Sequence, residues 1–189
     1  MNMLLLVVAA VPIVGVALVF NRIVGLRNRA AAAWSDIDVQ LKRRHDLVGN
    51  LVEVVKGYAA HERSTLEEVT RMRVRAQETL DAGSPAATGE VESGLAQRIG
   101  KLFAVVEAYP ELKASESFSS LHHALVDVED HLQNARRYYN AVVRDLNTRI
   151  QSFPDMLIAG LFRFREREFF KLDSVAEAAA PRFNLEPGS

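Results

Sequence analysis

FSSLHHALVDVEDHLQNARRYYNAVVRDLNTRIQSF, residues 118–153, carries the clearest pattern in the chain. Its apolar positions are Phe118, Leu121, Leu125, Val128, Leu132, Ala135, Tyr139, Val142, Leu146 and Phe153. The intervals alternate three and four, the heptad spacing of helices that pack closely along their length. One long amphipathic helix is therefore predicted here, in coiled-coil-like contact with its neighbours. Pro154 stops it and suits the first turn of a last helix.

Working back toward the N-terminus, Val91, Leu95, Ile99, Leu102, Val106 and Tyr109 form a second stripe, closed by Pro110. Proline disfavours helical geometry in the residue before it. Residues 81–90, DAGSPAATGE, read as a loop by composition. Leu66, Val69, Met72, Ala76 and Leu80 make another stripe, and Ser64-Thr65-Leu66-Glu67 before it reads as a capping box. Trp34, Ile37, Leu41, Val48, Leu51, Val55 and Tyr58 make the first one. Gly57 is the expected kink, since glycine weakens a helix by about 1 kcal/mol relative to alanine. Two arrangements fit these lengths: an arm over 21–80 extending about 90 Å, or a shorter bundle folded at Gly57 and again at Pro110.

Met3–Phe20 contains no charged residue. At about 1.5 Å per residue it covers roughly 27 Å, close to a bilayer's hydrocarbon thickness. A cleaved signal peptide is the rival reading, but it wants a basic region first, and Met1-Asn2 supply none. No turn signal separates this run from the first stripe. The expected fold is all-α: an N-terminal transmembrane helix continuing into a long antiparallel helical bundle. Its boundaries are an anchor over 1–20, a bundle over 21–172 and a weakly ordered tail over 173–189. Arg22, Arg27 and Arg29 follow the apolar run. The positive-inside rule then places the N-terminus outside and the helical domain in the cytoplasm, on a single-pass cell (inner) membrane protein.

Composition narrows the function. A net charge of -1 gives no general attraction to nucleic acid, and the absence of cysteine excludes disulfides and thiolate metal sites. His123, Asp127 and His131 share a helix face, but a solvated polar face explains them better than a metal site. His61-Glu62 reads as a polar elbow between helices. Arg71, Arg73 and Arg75 cannot all share one face. No phosphate-binding glycine loop, serine elbow or paired-metal motif is present. No catalytic residue, cofactor or metal site is assigned. Met156-Leu157-Ile158-Ala159-Gly160-Leu161-Phe162 is apolar on every side and too short to span, and basic and aromatic residues follow it. Arg22, Arg27, Arg29, Leu157, Leu161 and Phe164 are therefore the expected membrane-proximal or subunit contacts. An ordinary fourth bundle helix is the alternative for that last segment.

Several segments resemble the LemA family: Phe20–Val24, Ala33–Arg44, Asn50–Tyr58, Glu107–Ala114 and Ala135–Asn140, in order over nearly the whole chain. Gly49 departs from the proline usual before that asparagine, and Leu146 from a common aromatic. The resemblance implies a small bacterial membrane protein with an N-terminal anchor, a cytoplasmic helical domain and no catalytic residues to carry over. One branch of the family belongs to the magnetosome membrane. The expected function is a non-enzymatic, self-assembling scaffold that contacts membrane lipids, a homo-oligomer organising membrane or partner proteins. The alternative is an adaptor or regulator of another membrane protein, such as a protease.

Overall fold

The structure is a computed structural model that describes residues 2–171, with side chains from Pro12 onward. The tail over 173–189 lies outside these residues, as do the side chains of the first half of Met3–Phe20. Among the residues with described side chains, 12–171, no helix is long and apolar enough to cross a membrane. Among the described residues six helices follow one another: α1 (Asn2–Tyr58), α2 (Arg63–Asp81), α3 (Pro85–Val106), α4 (Pro110–Lys113), α5 (Glu116–Gln151) and α6 (Asp155–Leu161). The described residues contain no strand.

Helix α1 is continuous through Pro12 and Gly49 and spans about 85 Å. Its partner along most of that length is α5, which runs antiparallel to it. Arg44 meets Glu129, and Trp34 meets Tyr139. The α2–α3 hairpin packs on the distal half, so there the chain runs up, down, up and down as a four-helix bundle. Of the two arrangements left open by the sequence, this is the shorter, folded bundle. The chain reverses just past Gly57 and again around Pro110. The proximal half is built mainly from α1, α5, α6 and residues 162–171, with Leu80 at the end of α2 reaching its core.

Local chemistry sets the ends. Ser84 caps α3 through Ala87 N–H (3.4 Å) with Pro85 in the first turn, and Ser115 caps α5 through Phe118 N–H (3.2 Å). Residues 81–90 are therefore not a loop. The turn is confined to residues 82–84, where Gly83 adopts φ 77°. The capping box at Ser64 does not form either. Helix α2 starts at Arg63, with Glu62 before it making no side-chain cap. Packing Ala59 and Leu66 into the distal core requires the reversal to finish by Glu62.

The stripes fill two cores. Val48, Leu51, Val55, Leu66, Val69, Leu95, Leu102, Val106 and Leu125 belong to the distal one. Ile23, Ile37, Leu41, Leu132, Tyr139, Val143 and Leu146 belong to the proximal one. Tyr58 and Phe153, expected inside, are exposed. Each lies where its helix ends, beyond the reach of the facing helix.

Past α6 residues 162–163 make a turn, with Arg163 at φ 57°, and the non-helical chain after it forms a strap in the groove between α1 and α5. Asn147 donates to the Arg167 carbonyl and accepts from the Arg167 N–H, both at 2.9 Å. Asn140 does the same for Phe170, again at 2.9 Å each. The register is metric: seven residues of helix rise about 10.5 Å, and three residues of extended chain about 10 Å. Tyr139 donates its hydroxyl to the Glu168 carbonyl (2.9 Å). Burial pushes that hydroxyl above its usual range, so it stays a donor. Phe170 is buried between Trp34, Tyr139 and the Arg136 guanidinium. Lys171 of the strap lies against Gly89, where a methyl group would overlap the Lys171 carbonyl.

Asn147→Ala should leave the Arg167 N–H and carbonyl unpaired beside the core, at about 1–3 kcal/mol. Hydrogen exchange would show faster exchange at Arg167 and Phe170 with the distal core unchanged. Unchanged protection at both amides would mean the strap is held by its aromatic residues alone.

Candidate membrane-proximal site

Two polar constellations stand out. The first separates the two cores. His45 and Glu92 are 2% and 0% exposed, and His45 Nε2 lies 2.6 Å from Glu92 Oε1. The other ring nitrogen faces Gln77 Oε1 at 3.1 Å. Arg44 donates to Glu92 Oε2 at 3.3 Å and reaches Glu129 at 3.5 Å. Arg73 donates to the His45 carbonyl (3.2 Å), and Gly49 leaves room for its guanidinium. The buried groups of this layer are paired with one another, and its Glu129 edge, 38% exposed, meets solvent. It fixes the register of α1, α2, α3 and α5.

The second constellation is the foot of the bundle, where α1 enters from its apolar run. Phe20 packs edge-on against Phe162 (4.7 Å) and lies 5.6 Å from Phe164. Helix α6 buries Ala159 and Asp155 against the bundle, with Asp155 held by Arg149 at 3.1 Å. Its other face is bare: Leu157 is 60% and Leu161 73% exposed, with Phe153 (78%) beside them. An apolar helix was expected to be buried or against lipid, and most of this one is not buried. Leu18 on α1, two residues before Phe20, is also exposed.

A groove of about 720 Å³ lies at the same end, between α1 and α5. Asn21, Arg22, Gly25, Leu26 and Arg29 line it from α1, and Asp145, Thr148, Arg149 and Ser152 close it at the end of α5. Of the three arginines expected to act together, the structure places Arg22 and Arg29 on this groove, seven residues apart. Arg27 is exposed but does not line it. Arg149 was not singled out in the sequence, and its only signal was a place in the last turn of α5.

The remaining candidates are not assembled into sites. His123, Asp127 and His131 are all exposed on α5. Among the described residues no group of three potential ligands could hold a metal. His61 and Glu62 form the turn between α1 and α2. Arg71 and Arg75 are exposed, whereas Arg73 reaches the buried layer.

The chain is similar to magnetosome protein MamQ of Magnetospirillum gryphiswaldense, with 25% identity over 80% of this chain and 64% of that protein. Its identity to MamQ 2 of Paramagnetospirillum magneticum is 27%, over the same shares. It is also 28% identical to protein LemA of Metamycoplasma hominis, over 70% of this chain and 60% of that one. The chain thus spans less than two thirds of the length of the relatives it matches. The model of the LemA family matches residues 33–184, and with four fifths of its length matched the chain belongs to the LemA family.

Proposed function

We propose that this chain is a non-catalytic, membrane-anchored scaffold in which Met3–Phe20 crosses the bilayer and the bundle stands directly on it. One observation carries the reading. A single uninterrupted helix, Asn2–Tyr58, contains both the apolar run and the main spine of the bundle, and bare apolar residues ring their junction. Such a junction has no flexible linker, so the bundle's orientation is set by the membrane. Leu157, Leu161 and Phe153 then lie at the headgroup boundary, where a short apolar helix with basic flanks is stable. The bundle faces the cytoplasm, because Arg22, Arg27 and Arg29 flank the run on that side. Relatives named as magnetosome proteins support a membrane role. Copies are proposed to associate along the long surface of the bundle helices and thereby organise membrane or partner proteins.

Protease added outside intact cells should leave the bundle uncut, and digestion there would reverse the orientation. Purification from solubilised membranes tests the scaffold itself. Stoichiometric complexes of this chain alone are expected. A constant heterologous partner instead would make it an adaptor of that protein.

A further inference from the structure

We propose that the groove at the foot of the bundle is a binding site for the phosphate of an anionic phospholipid headgroup, an inference that rests on the membrane-anchored reading. Its walls present three arginines, Arg22, Arg29 and Arg149, against one carboxylate, Asp145. Arg149 is already engaged by Asp155. Arg22 and Arg29 make no ion pair or hydrogen bond among the described residues. Two free guanidinium groups seven residues apart converge on one space, because α1 turns the same face outward at that interval. Each presents a planar fork of donors that matches phosphate oxygens bidentately. Gly25 lies between them, and a Cβ there would meet nothing within 4 Å, so the groove floor is open. Asn21 and Thr148 add polar groups along the rim.

Position identifies the source of the phosphate. Asn21 directly follows Phe20, the last residue of the apolar run, so the groove opens at the depth where lipid phosphates lie. The bare apolar face of α6 at the same end provides a surface for the acyl chains. A phosphate free in solution would gain from the arginines but not from that face.

The test uses the full chain in neutral detergent, offered equal amounts of phosphatidylglycerol and phosphatidylcholine, with retained lipid counted by native mass spectrometry. The wild type should retain phosphatidylglycerol preferentially, and less so as salt rises. Arg22→Gln with Arg29→Gln should reduce that preference about thirty-fold, the effect of two arginine contacts near an anionic surface. Arg27→Gln removes one such charge from outside the groove and should change it little. A loss per charge in Arg27→Gln equal to that in the double variant would mean diffuse attraction, and would overturn the site. So would equal retention of the two lipids by the wild type. Equilibrium dialysis against inorganic phosphate separates the sources. Binding there without lipid preference would make the groove a solution-anion site and overturn the lipid assignment. The anchored reading fails separately, if alkaline extraction releases the chain from membranes. Circular dichroism confirms that the variants fold, since both arginines are exposed.

Discussion

Glu92→Ala is expected to be among the most destabilising single changes in this chain, costing about 3–5 kcal/mol. The carboxylate is the shared acceptor of Arg44 and His45, and all three side chains are buried. Removing it leaves a guanidinium inside the bundle with only the half-exposed Glu129 to answer it. The imidazole loses its closest partner at the same time. For a chain of this size the midpoint of thermal unfolding should fall by roughly 10 °C. Replacing Arg44, His45 and Glu92 together by apolar residues of similar volume should recover most of the loss, because a buried ion pair rarely outperforms good apolar packing. A Glu92→Ala protein that melts with the wild type would show that water reaches the layer and that it does not fix helix register.

Leu132→Asp should be of similar size. Leu132 is 1% exposed in the proximal core, between α5 and α1. An aspartate there buries a carboxylate with no partner, and the loss should be about 4 kcal/mol or more. His123→Ala, on the solvent face of the same helix, should stay within about 0.5 kcal/mol. Matching melting curves for the two variants would put the α5 stripe in the wrong register.

The helices were legible because their stripes are regular. Every stripe position of α2 and α3 is buried or partly buried, and in α5 only the terminal Phe153 faces out. The two missed starts, α3 at Pro85 and α2 at Arg63, depend on a serine cap and on packing at a tight reversal, neither of which periodicity registers. The buried layer did leave a trace. The α1 stripe skips from Leu41 to Val48, and Arg44 and His45 fill the gap. A polar pair in an apolar slot predicts a buried partner, but only the tertiary fold names Glu92, nearly fifty residues away. The strap was not legible. Its alternation of Arg and Phe resembles an interfacial helix, whereas its conformation is set by Asn140 and Asn147 on another element. At the foot, Arg22 and Arg29 were visible as basic residues, but Arg149 joins them only because α5 returns antiparallel to where it ends.

The pairing of α1 with α5 has a consequence for synthesis on the ribosome. Helix α1 is complete at Tyr58, whereas its main partner is complete only at Gln151. Translation at about 5–20 residues per second leaves on the order of 5–20 s between the two events. During that interval Ile23, Ala30, Ile37 and Leu41 form an apolar stripe with no α5 to cover it. The α2–α3 hairpin arrives first but covers mainly the distal half, so the proximal stripe stays bare until translation is nearly finished. On a polysome, neighbouring nascent chains would present the same stripe side by side. An α5 emerging from one chain meets its own α1 and a neighbour's with equal complementarity, and only tethering favours its own. Exchange of α5 between chains is thus the characteristic assembly error this topology invites, and slower elongation after residue 58 would increase it.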